Sequence, residues 1–99
     1  MRRAARISTP ASDEFTDAVR WYEAQRPGLG AELFDAVTAT IEIIETQPEI
    51  GTAAYPDPQT RRALVVRFPY QVVYRLDQDE IVFLAIAHLK RRPGYWQHR

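Results

Sequence analysis

The chain contains no cysteine. Disulfides, thiolate nucleophiles and cysteine-ligated metal centres are therefore excluded. Histidine is scarce too. His88 and His98 are the only two, too few for a typical structural zinc site. The four glycines form no glycine-rich phosphate loop. No apolar run approaches the roughly 20 residues a membrane-spanning helix needs. The basic start, Met1-Arg2-Arg3-Ala4-Ala5-Arg6, is not followed by a signal-peptide apolar segment. From these absences we expect a soluble, cytoplasmic protein with no membrane partner, no metal and no cofactor.

A net charge of zero hides an asymmetry. Residues 1–59 carry five arginines against ten acids, and residues 60–99 carry eight lysines and arginines against three acids. The two halves should present surfaces of opposite sign. With 99 residues, 45% of them hydrophobic, we expect one domain spanning 1–99. A chain of this size buries only about two-thirds of its unfolded surface, so a partner would add useful stability.

Hydrophobic spacing gives the elements. Residues 2–8 read as a short strand. Thr9 can cap the helix that follows, Pro10 suits its first turn, and Asp13 and Glu14 add negative charge near that end. Phe15, Ala18, Val19 and Tyr22 form a helical stripe over 10–26, ended by Pro27-Gly28-Leu29-Gly30. Leu33, Phe34, Val37, Ile41 and Ile44 form another over about 30–47, stopped by Pro48. The proline-containing stretch 48–60 reads as a loop. Residues 62–68, 70–76 and 80–88 read as strands rich in Val, Ile, Phe and Tyr, joined by short connections. The order β-α-α-β-β-β predicts an α+β fold, a helical hairpin packed on a small, mostly antiparallel sheet.

The last strand runs into Lys90-Arg91-Arg92 and then Tyr95-Trp96. Cations beside flat aromatic surface suit a polyanion, although a solvated basic tail has the same composition. Trp96 has two readings, as a base-stacking platform or as a residue folded back onto the sheet. No Ser-His-Asp or Cys-His set stands out. Metal-independent RNA cleavage needs a base, an acid and cations around the phosphate. His88 and Tyr95 could move protons, with Arg61, Arg62, Arg67, Lys90, Arg91 and Arg92 as the cations. His88 reads somewhat more readily as a histidine that ends a strand and bonds a backbone carbonyl. Trp21 lies about 100° round the helix from Tyr22 and can edge a partner groove.

Taken in order, Trp21-Tyr22-Glu23, Pro27-Gly28-Leu29-Gly30 with Phe34, Arg67-Phe68-Pro69-Tyr70 leading to Val73-Tyr74, and Ala85-Ile86-Ala87-His88 followed by Arg91, Pro93, Tyr95 and Trp96 resemble the RelE/ParE superfamily of type II toxin–antitoxin toxins. The resemblance implies a β-α-α-β-β-β fold and a cognate antitoxin that wraps around the toxin. It leaves the target open. RelE-like members cleave mRNA on the ribosome, and ParE-like members inhibit DNA gyrase.

The RelE-type site is only partly matched: Arg62, Arg91 and Tyr95 fit its pattern, with His88 as a further proton carrier. Gln71 stands where a third-strand arginine is expected, and Leu64 replaces another cation. The Phe68-Pro69-Tyr70 turn and the ending from His88 to Trp96 look more like ParE. For a binding toxin, Arg61, Arg67, Lys90, Arg92 and Trp96 are candidates to face the target and Trp21 to face the antitoxin. An inactive, antitoxin-binding module is the third reading.

Overall fold

The computed structural model describes residues 4–54, 57–97 and 99. Met1–Arg3, Tyr55, Pro56 and His98, with the expectations placed on them, lie outside the described residues. Strand β1 (Ala4–Ile7) leads into helix α1 (Thr9–Gln25) and then helix α2 (Leu29–Thr46). Strands β2 (Thr52–Ala54), β3 (Asp57–Leu64), β4 (Tyr70–Leu76) and β5 (Glu80–His88) follow. They form one five-stranded sheet ordered β1-β5-β4-β3-β2. The meander β2 to β5 is antiparallel and β1 joins β5 in parallel, so the expected α+β architecture holds with a mixed sheet.

Four local expectations are corrected. Ser8, not Thr9, caps α1, its Oγ accepting the Ala11 N–H at 3.2 Å. Asp13 and Glu14 lie beyond the first turn, which holds no acid. The stretch 48–60 contains β2 and the start of β3, because Thr52 and Ala53 pair with Arg62 and Arg61. Strand β3 stops at Leu64 rather than Phe68, where Arg67 takes a left-handed φ of 75° and turns the chain into β4.

The helical hairpin closes through Glu23. Its carboxylate accepts the N–H groups of Gly28 and Gly30 at 3.0 Å each, satisfying donors at the start of α2. Gly28 supplies the φ of 91° the turn requires, and at Gly30 a Cβ would sit 2.7 Å from the Val19 carbonyl oxygen.

The hairpin packs on one sheet face. Leu33, Val37 and Ile44 meet Val72, Tyr74, Phe83 and Ile86 in the main core, with Phe15, Val19 and Tyr22 against it. Val73, Val82, Leu84, Ala85 and Ala87 form a second cluster on the opposite face, closed by Trp96. Of the two readings of Trp96, the structure adopts the folded-back one, with the ring 6% exposed. The oppositely charged halves are partly cross-linked, since Glu32 on α2 meets Arg67 at 3.0 Å and Glu14 on α1 meets Arg99 at 2.8 Å.

Candidate functional site

Two concave surfaces and one polar latch bring the chemically interesting residues together. The larger surface is a groove of about 480 Å³ between α2 and the edge of β3. Ile43, Ile44, Ile50, Leu64, Val66 and Leu89 contribute most of its apolar wall. Ile43, Ile50, Leu64, Val66 and Leu89 are all about half exposed or more, an apolar patch of the kind that marks an interaction surface. The groove exists because β2 is short. Its pairing ends at Thr52 opposite Arg62, leaving the last two residues of β3 without a neighbour on that side.

Cross-strand register says which face each residue uses. Ala63, Val72 and Ile86 are aligned and belong to the helix-side core. Their neighbours Leu64, Gln71 and Ala87 are likewise aligned and face the other way. The groove therefore wraps over the edge of β3, from Ile43 and Ile44 on the helix side to Leu64 and Gln71 beyond it. Arg62 lies exposed on the same wall.

The second surface is a shallow depression of about 300 Å³ between α1 and the end of β5, lined by Trp21, Tyr70, His88 and Arg91 with Glu14 and Asp17. Trp21 is 58% exposed and stands edge-on to Tyr22. His88 meets Tyr70 edge-on at 5.1 Å, and its Nδ1 accepts the Lys90 N–H at 3.0 Å. Burial, with Tyr22 close by, pushes the Tyr70 phenol above its ordinary range.

The latch lies beside this depression. The Glu14 carboxylate accepts the Tyr95 hydroxyl at 2.7 Å, both terminal nitrogens of Arg99 at 2.8 and 3.1 Å, and the Ile86 N–H at 3.1 Å. The Arg91 guanidinium lies 4.0 Å from the Tyr95 ring centroid, and that of Arg99 lies 4.9 Å from it. Burial first, then the hydrogen bond to Glu14, raise the Tyr95 pKa far above that of a free phenol. Tyr95 is thus a neutral donor held by a carboxylate, a poor general base.

A family profile described as ParE toxin of type II toxin–antitoxin system, parDE, matches residues 5–93. The chain belongs to the ParE toxin family. A chain of the chromosomal ParDE toxin–antitoxin system from P. aeruginosa is similar in structure, with a TM-score of 0.76 and 15% identity over 88% of this chain and 96% of that one. That likeness shows a shared fold. No curated protein sequence matches significantly.

Within this ParE fold three of the four nuclease candidates are neighbours, with Arg91 against Tyr95 and beside His88, and Arg62 stands apart from them. Arg62 is in the groove, His88 and Arg91 line the depression, and Tyr95 is in the latch. The proposed target-facing cations also divide. Arg61 donates to the carbonyls of Glu49 and Gly51 at 3.2 and 2.8 Å, so it holds the segment entering β2. Arg67 is paired with Glu32. Lys90 and Arg92 are exposed on the tail, whereas Trp96, buried in the second cluster, offers no stacking face.

Among the described residues no group of three or more histidines or acids could hold a metal ion, and no helix is long and apolar enough to cross a membrane.

Sequence reasoning passed over Arg99, took Glu14 only for a helix-end charge and took Gln71 only for a missing cation. Glu14 carried one usable signal: it lies four residues before buried Ala18, on the core-facing side of α1.

Proposed function

We propose that this ParE-family chain is a toxin that acts by stoichiometric binding, with DNA gyrase as its target, and that a ParD-type antitoxin neutralises it. The groove carries the choice of binding over catalysis. Two positions where a RelE-like nuclease would set cations against phosphate hold Leu64 and Gln71, and both line an apolar wall. A phosphate there would meet Arg62 and hydrocarbon, which is weak support for a transition state built on charge. Tyr95, one of the two proton carriers of that set, is engaged by Glu14.

The same features suit protein partners. An apolar groove beside a free strand edge accepts a segment that folds on contact, and the antitoxin supplies it. Trp21, exposed above the His88–Arg91 depression, with Lys90 and Arg92 nearby in sequence, presents aromatic and cationic groups of the kind enriched at binding hot spots. We assign that side to the target, which moves Trp21 from the antitoxin-facing role expected of it.

The ribonuclease reading keeps one observation in its favour: His88 and Arg91 do line one depression. Mapping mRNA ends in a purified translation system separates the two. The binding account predicts intact message at any toxin concentration. Ribosome-dependent cuts within codons, lost in Arg91→Ala, would establish the nuclease instead.

A further inference from the structure

Gln71 is the one residue of the groove whose chemistry does not match its surroundings. Its side chain is 7% exposed, and its Oε1 is buried with no hydrogen-bond partner. It is the sole buried side-chain nitrogen or oxygen left unpartnered among the described residues. Other buried polar side chains are served. Thr40 donates to the Ala36 carbonyl at 2.9 Å, and Thr60 donates to Asp57 at 3.1 Å. A buried amide oxygen without a donor is a standing cost to the free protein. An apolar residue of similar volume would remove that cost.

Its position decides what can relieve it. Gln71 lies on β4 opposite Leu64 of β3 and Ala87 of β5. The groove reaches it only after crossing the β3 edge from Ile43 and Ile50. Whatever fills the groove along its length arrives at Gln71 from the solvent side. At that end Leu64, Val66 and Leu89 are aliphatic, and Arg62 lies two residues from Leu64 on β3.

We propose that Gln71 is the partner-selecting residue of this groove. The occupant is a segment of the antitoxin that seats apolar side chains against Ile43 and Ile50, passes over the end of β3 and donates one hydrogen bond to Gln71 Oε1. The assignment rests on the antitoxin reading above. A segment that brings only hydrocarbon to this point leaves the amide oxygen buried and unpaired, so the groove discriminates by hydrogen-bonding capacity as well as by shape. Arg62, exposed on the same wall, adds a preference for a segment carrying a carboxylate.

The test compares the wild-type chain with Gln71→Met, which keeps length and volume, and with Gln71→Leu as a second variant. Thermal unfolding of the free protein and affinity for its cognate ParD antitoxin are both measured. We expect the free variants to match or exceed the wild-type Tm, while antitoxin affinity falls about tenfold, the value of one hydrogen bond. Two results would overturn the assignment while leaving the toxin reading intact. One is a variant that binds the antitoxin as tightly as wild type. The other is a free variant that loses stability, which would mean the amide is already paired within the chain. If the wild-type chain self-associates and Gln71→Met abolishes only that, the occupant is a second copy and the proposal fails. Absence of any complex with the antitoxin would overturn both readings.

Discussion

Glu14 on the first helix and Arg99 at the end of the sequence form a two-pronged ion pair, with nitrogen–oxygen distances of 2.8 and 3.1 Å. Both side chains are under one-fifth exposed. The pair ties the tail to α1, and the same Arg99 reaches the Leu84 carbonyl at 3.1 Å. Leu84 lies at the β5 irregularity, where Val73 pairs with Ala85 but Tyr74 pairs with Phe83. The bulged residue's carbonyl thus finds donors in Arg99 and in the Ser8 hydroxyl. A single carboxylate therefore organises the N-terminal helix, strand β5 and the tail that covers the second core cluster.

Replacing Glu14 should release that tail. Glu14→Ala leaves the Arg99 guanidinium, the Tyr95 hydroxyl and the Ile86 N–H without their acceptor. The expected loss is about 2 kcal/mol, below the range for fully buried pairs because solvent reaches this one. In a domain of this size that lowers Tm by roughly 10 °C. Trp96 fluorescence should shift to the red as the ring gains water. An unchanged Tm with unchanged emission would remove Glu14 from its organising role.

The phenol of Tyr95 predicts an alkaline limit. Its folded-state pKa is raised from the ordinary 10.0 by burial and by Glu14. A raised pKa makes a contribution that is complete below pH 10 and is lost as the pH climbs above it, because the unfolded chain ionises first. Tyr70 and Tyr74, both shifted upward chiefly by burial, act in the same direction. Stability measured from neutral pH upward should hold to about pH 10 and then fall. The fall should be shallower in Tyr95→Phe. A wild-type curve as shallow as the variant's would contradict the assignment.

The two glycines of the hairpin fail for different reasons. Gly30→Ala forces a Cβ against the Val19 carbonyl and Glu23, within 2.9 Å of each, and should cost roughly 1–3 kcal/mol through overpacking. Gly28→Ala meets no atom within 4 Å but must hold a positive φ, which costs about 1–2 kcal/mol. Denaturant titration of these variants with Gly28→Asn distinguishes the causes. Asparagine should recover much of the loss at position 28, since it tolerates the left-handed region.

Leu64 is 68% exposed, so Leu64→Glu should change the stability of the free protein by no more than about 0.5 kcal/mol. It should nevertheless weaken antitoxin binding at least ~10-fold, by placing a charge in an apolar contact. Calorimetric titration reads this directly, and full affinity in the variant would move the antitoxin off the groove.

The legible parts of the fold were those with dense local signals. Strands β4 and β5 follow from uninterrupted Val, Ile, Phe and Tyr, and both helices follow from their apolar stripes. The short β2 was hidden because Thr52 is its one strand-favouring residue, Ala53 and Ala54 carry little strand preference, and prolines follow. Its pairing with Arg61 and Arg62 is a tertiary fact. The parallel pairing of β1 with β5 joins residues more than seventy positions apart, and no local pattern encodes it.

At the site, aromatic and cationic residues of the tail were visible as types. Their division between groove, depression and latch was not, since that depends on which face of the sheet each one uses. Gln71 was read as a missing phosphate contact; its burial without a partner appears only in three dimensions.

The central claim is that this ParE-family chain works by binding gyrase. The most direct measurement is DNA supercoiling by purified gyrase with increasing amounts of the protein, repeated with ParD antitoxin present. The account predicts that supercoiling is lost as toxin approaches stoichiometric excess and is restored by antitoxin. Undiminished supercoiling at every excess of a folded, antitoxin-competent toxin would contradict it.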